Sequence, residues 1–232
     1  DQFITVDSAQ FAHASRRGYY VDDQALTSVV LGQLKDSGPA QFVLAISMEN
    51  HGPYLDFPMS KARQRVRDQI RVPAGLQGEA KRALQNYLLR QRDADAQLGR
   101  LADALAQRQR PSLLVFYGDH LPGLGAAYAG GFDDGRQPNE QPVPFLLIEP
   151  GAKQPPQTRS LPAWMLAANL LHQAGVHDDH YFALLQAMQP TLAAKHWQLS
   201  DRVAGELDSV TAMRLDNKTL PGSDATALIA RP

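Results

Sequence analysis

The sequence predicts an α/β fold with a mainly parallel sheet flanked by helices, and three observations carry that reading. Two short, nearly continuous apolar runs, QFVLAISM at 41–48 and SLLVFYG at 112–118, have the length and composition of strands buried on both faces. Between them, apolar residues recur every three or four positions from Glu79 to Gln109, as a long crossover helix requires. Each run breaks at its carboxyl end into a polar cluster, ENHGPY after the first and DHLPG after the second. Strand, helix and strand in that order form a right-handed crossover unit, the building block of a parallel sheet.

Taken in order, the first element is a helix over 22–34, where Leu26, Val29, Val30 and Leu34 keep helical spacing and Asp22 and Asp23 sit at the end favoured by acids. The run 41–48 opens after Gly38 and Pro39 as the first buried strand. The helix over 79–109 carries Leu84, Tyr87, Leu88, Ala94, Leu98, Leu101 and Leu105 on one face, and Pro111 ends it before the second strand, 112–118. A third apolar stretch, VPFLLIEPG at 143–151, leads into a helix over 162–174 closed by Gly175. A further helix is expected over 177–188, and short apolar pieces among turn residues over 192–220 predict small edge strands in the region 190–232. The stretches 137–144 and 153–162 read as surface loops, and no repeat or obvious domain linker is present.

Composition narrows the function. At 232 residues and 44% hydrophobic, the chain can bury the core of one domain or of most of one. The net charge of -1 comes from 23 basic and 24 acidic residues, so no overall field draws the chain to nucleic acid. Absence of cysteine excludes disulfides, thiolate metal sites and thiol nucleophiles, and leaves the redox compartment open. No apolar run approaches the roughly 20 residues needed to span a bilayer, and the first residues lack a basic region followed by an apolar one.

The chemistry gathers where the two runs end, because ligands of open parallel sheets bind beyond the carboxyl ends of the strands. Asp119 offers a hard anionic oxygen and His120 a borderline nitrogen, a set that suits manganese, magnesium or zinc better than calcium. The same pair also fits a helix cap or turn signal after a strand. His172, His177 and His180 lie close in sequence but fall on and after an amphipathic helix, and read as surface or core residues. His13 and His196 have no chemical company. The basic run KARQRVRDQIR at 61–71 reads as a solvated face, with a phosphate-binding patch as its alternative.

FVLAISMENHGPY, followed by LLVFYGDHLPG and then by VPFLLIEPG, resembles the carboxyl-terminal half of the lipoteichoic acid synthase group and its Gram-negative relatives, within the alkaline phosphatase and sulfatase superfamily. The helix containing NYLLRQRDADAQLGRLADAL is similar to the family helix that leads into the strand before its Asp-His pair, and the resemblance covers roughly 18–176. It implies an alkaline phosphatase/sulfatase-like fold, of which 1–232 forms the carboxyl-terminal part.

The resemblance also implies roles. Asp119 and His120 would ligate one divalent cation, and His51 would face the substrate phosphate, stabilising charge or protonating a departing oxygen. Asn50 and Tyr54 would shape the same substrate pocket. The implied reaction moves a phosphoglycerol or phosphoethanolamine group from a phospholipid headgroup donor to a glycan or glycerol acceptor through a phospho-threonine intermediate. That threonine, the remaining metal ligands and the membrane helices would belong to a missing amino-terminal half of the same protein, at the extracytoplasmic, periplasmic face of a bacterial inner membrane. The fragment alone is then expected to be inactive. Two other readings stand behind this one: a sulfatase or phosphodiesterase hydrolase of the same superfamily, and a non-catalytic α/β binding fragment.

Overall fold

The computed structural model describes residues 2–130, 142–153 and 155–215, which fall into two compact units, 1–152 and 153–232. The division falls at the start of the stretch 153–162 that the sequence marks as a surface loop.

In the first unit a 3-10 turn at Ala9–Phe11 precedes a tight hairpin, β1 (Arg16–Arg17) paired antiparallel with β2 (Tyr20–Val21). Gly18 turns it at φ +63°, and a Cβ there would stand 2.4 Å from the Phe57 ring, so both the backbone and the contact demand glycine. Helix α1 (Asp23–Gln33) follows, capped by Asp22, whose carboxylate accepts from the Ala25 N–H at 2.9 Å. A cap of this kind contributes about 1 kcal/mol. Helix α2 (Lys61–Asp68) is capped by Ser60, and α3 (Gly78–Ala106) is the long helix expected between the two motifs. Strand β3 (Leu114–Tyr117) then pairs with β4 (Phe145–Ile148). A core of Tyr54, Leu76, Leu124 and Ala127 packs on the Ala80, Ala83, Leu84 and Tyr87 face of α3.

The second unit holds α4 (Leu166–Gln173), entered through a 3-10 turn at Ala163–Met165, then α5 (His180–Ala194) and α6 (Asp201–Leu215). Met165, Ala168 and Leu185 form its core, and Gly175 leaves α4 at φ +75° as the predicted stop.

Three expectations need correction. The run 41–48 joins no strand ladder, and Phe42, Leu44 and Ile46 are 78%, 66% and 73% exposed. Its apolar pattern is that of a strand, but among the described residues no segment pairs with it in a ladder. The mainly parallel sheet is likewise not what the described residues form: β3 and β4 run antiparallel, Leu114 opposite Ile148 and Tyr117 opposite Phe145. Finally, the region read as small edge strands holds α6 instead, through residue 215. Val203, Leu207 and Val210 keep helical spacing there, and 216–220 lies outside the described residues.

Candidate functional site

The polar loop 49–56 is held from below by the buried polar side of α3. Arg90, 5% exposed, donates through one Nη to the carbonyls of Glu49 at 3.3 Å and His51 at 3.1 Å. Its guanidinium also lies over the rings of Tyr54 and Phe57, 5.6 and 5.7 Å from their centroids. One turn earlier, the Asn86 amide donates to the carbonyls of Tyr54 and Leu55 at 3.0 and 3.1 Å and to Asp56 at 3.0 Å. Asn50 donates to Gln91. Loop carbonyls that would otherwise be buried without partners are satisfied by one helix, which fixes where His51 stands.

His51 is exposed, and its Nδ1 lies 2.8 Å from the Gly52 carbonyl. A carbonyl only accepts, so Nδ1 carries the proton and Nε2 presents its lone pair outward. The loop after β3 repeats the arrangement: His120 Nδ1 donates to the Leu121 carbonyl at 2.7 Å and leaves Nε2 free, 3.7 Å from Asp119 Oδ1. The His51 and His120 rings meet edge to face with centroids 5.9 Å apart. The two polar clusters that end the sequence motifs therefore converge on one surface, although the strand pairing expected to bring them together is absent among the described residues.

Asn50 and Tyr54 stand differently. The Tyr54 ring is in the core, 6% exposed, with its hydroxyl donating to the Asn50 carbonyl at 3.1 Å, and burial pushes its pKa up to about 12. Tyr54 thus supports the loop from beneath, while Asn50 is half-buried with its Oδ1 unpaired.

Behind the loop lies a group that sequence patterning missed. Glu49 is 1% exposed, and it accepts from the Asp23 N–H at 2.7 Å. Arg17 and Arg63 stand 3.7 Å from its other oxygen, too far for a hydrogen bond. Burial, with Asp93 and Asp23 nearby, outweighs the Asp23 N–H bond and raises Glu49 to about 7. Burial and the Asp22 and Asp93 charges raise Asp23 to about 6. The only sequence signal of this cluster is an acid placed directly before Asn50-His51. The basic run is also partly absorbed here, because Arg63 pairs with Asp93, and Arg67 with Asp56 at 2.8 Å and Asp68 at 3.1 Å. His172 and His177 lie in the second unit, edge to face at 5.1 Å.

A family model for sulfatases matches residues 1–189. The chain belongs to the sulfatase family. Among curated proteins it is 26% identical over 200 residues to a protein of Rhizobium meliloti (strain 1021) named "Putative cyclic beta-1,2-glucan modification protein", covering 81% of this chain and 29% of that one. It is 30% identical over 175 residues to the "Capsular polysaccharide biosynthesis protein RkpI" of the same strain, covering 73% of this chain and 28% of the relative. The chain thus spans less than a third of the length of either relative. No solved structure matches it.

Members of the sulfatase superfamily generally use a divalent metal, and the Asp119–His120 pair suits one. Oδ1 and Nε2 are two acceptors 3.7 Å apart, and cations of the zinc or magnesium class take such atoms at about 2.0–2.2 Å. The hydrogen bond from Nδ1 to the Leu121 carbonyl orients the ring as metal-ligating histidines require. Among the described residues, no group of three or more His, Cys, Asp or Glu side chains could hold a metal ion, so the pair would supply at most part of a ligand set.

Proposed function

We propose that this sulfatase-family chain carries one side of the active site of a metal-dependent phosphotransferase, which moves a phosphoglycerol or phosphoethanolamine group from a phospholipid headgroup to an extracytoplasmic glycan or glycerol hydroxyl. The observation that carries the reading is the convergence of His51 with His120 and Asp119, each histidine held with Nε2 outward. The names of the two relatives, one in glucan modification and one in capsular polysaccharide biosynthesis, favour a glycan acceptor over a small-molecule one.

In this reading Asp119 and His120 hold one cation, manganese, magnesium or zinc, which when bound supplies Lewis acidity to the phosphoryl oxygens. His51 faces the transferring group through Nε2. In the doubly protonated imidazolium form, the Nε2 proton passes to the departing alcohol oxygen and leaves Nε2 with its lone pair, while Nδ1–H keeps its carbonyl partner before and after transfer. The threonine nucleophile, the remaining metal ligands and the membrane anchor belong to the amino-terminal half of the same protein, at the periplasmic face of the inner membrane. That half also covers the exposed apolar run 41–48.

The experiment is an assay of the full-length protein with labelled phosphatidylglycerol, a β-glucan acceptor and manganese. Cation-dependent labelling of the glucan, abolished by Asp119→Ala, supports the transferase. Hydrolysis of sulfate or phosphate esters without transfer would assign the hydrolase reading instead, and no turnover of either kind would leave a binding domain.

A further inference from the structure

The His51 ring has a second neighbour. The Tyr20 ring meets it edge to face, centroids 5.7 Å apart. The Tyr20 hydroxyl donates to the Gly52 carbonyl at 2.8 Å and stands 3.3 Å from His51 Nδ1. Because that hydroxyl spends its proton on Gly52, it faces Nδ1–H with a lone pair, and the histidine proton lies between two acceptors. Tyr20 also holds in place the carbonyl to which Nδ1–H donates.

Tyr20 is itself firmly placed. The hairpin β1–β2 is pressed onto Phe57 at Gly18, and Tyr19 packs edge to face on the same ring at 5.0 Å. Arg17 reaches the buried carboxylates of Asp22 and Glu49, each at 3.7 Å. A two-stranded ribbon this short has little stability of its own, so these anchors set its position.

From this geometry we infer that Tyr20 is a positioning residue for His51: its hydroxyl and the Gly52 carbonyl hold Nδ1–H and thereby aim Nε2 at the substrate. The inference rests on the assignment of His51 to the transferring group. Hydrogen-bond partners of a functional imidazole fix its tautomer and orientation, and at metal-ligating histidines removing them costs roughly 10- to 100-fold, the scale carried over to His51 here.

The test compares Tyr20→Phe with the unaltered full-length protein by two readouts. Turnover of bis(4-nitrophenyl) phosphate with manganese is expected to fall about 10-fold or more in kcat with little change in KM. Carbethoxylation of His51 by diethyl pyrocarbonate, followed by mass spectrometry, is expected to slow while the rate at His172 stays unchanged. An unchanged His51 rate would overturn the inference, as would equal slowing at both histidines or a large drop in melting temperature, which would mark general loosening. His51→Ala separates the two levels. If it retains full turnover, the assignment of His51 fails whatever Tyr20 does; if it abolishes turnover while Tyr20→Phe leaves kcat intact, only the positioning role fails.

Discussion

His51 and His120 stand edge to face with ring centroids 5.9 Å apart, although the 29-residue helix α3 lies between them in the chain. The helix does more than connect them. Through Asn86 and Arg90 it binds the backbone of the loop that carries His51, so the separation of the two rings depends on buried polar contacts as well as on the apolar core.

Arg90 is the charged member of these contacts, and its loss has a defined cost. Arg90→Ala leaves two loop carbonyls without their donor and strips a cation from the Tyr54 and Phe57 faces, so it is expected to destabilise the protein by about 3 kcal/mol. Arg90→Lys keeps the charge without the planar guanidinium and should fall between. Chemical denaturation of both variants checks this, and an Arg90→Ala protein as stable as the parent would contradict it.

Gly18 predicts a contrast within one chain. Gly18→Ala forces a Cβ into the Phe57 ring from a left-handed backbone, whereas Gly38 at φ +90° has no atom within 4 Å of its ideal Cβ. Gly38→Ala should cost about 1 kcal/mol of backbone strain alone, and Gly18→Ala about 1–3 kcal/mol more from the clash. Thermal melts of the two variants measure the difference, and equal melting temperatures would show that the hairpin yields freely.

The architecture was legible where one chain segment decides its own structure. Helix α3, strand β3 and the Gly175 stop all follow from local period and terminator residues. What failed depends on partners. An apolar run such as 41–48 has the composition of a strand, but a ladder requires a second chain beside it. Of the candidate residues, His51, Asp119 and His120 could be singled out because polar residues end apolar runs. Tyr20, Glu49 and Arg90 could not: a tyrosine in a two-residue strand and an arginine in a charged helix carry no periodic mark.

The buried acids make stability depend on pH. Glu49 at about 7 and Asp23 at about 6 are both raised, so the folded protein keeps protons that the unfolded chain has already released. Stability from these groups is therefore fullest below about pH 4 and declines as pH rises toward about 7. Glu49→Gln should flatten this decline between about pH 5 and 8, as urea midpoints across that range would show. A slope unchanged by Glu49→Gln would locate the titration elsewhere.

The central claim is that two roles meet on one surface, a cation at Asp119 and His120 and a transferring group at His51. Calorimetric titration of the full-length protein with manganese, paired with turnover, separates them. Asp119→Ala is expected to lose both metal binding and turnover, and His51→Ala to lose most turnover while metal affinity changes less than about 2-fold. Metal affinity weakened as much by His51→Ala as by Asp119→Ala would make His51 a ligand and contradict the division of roles.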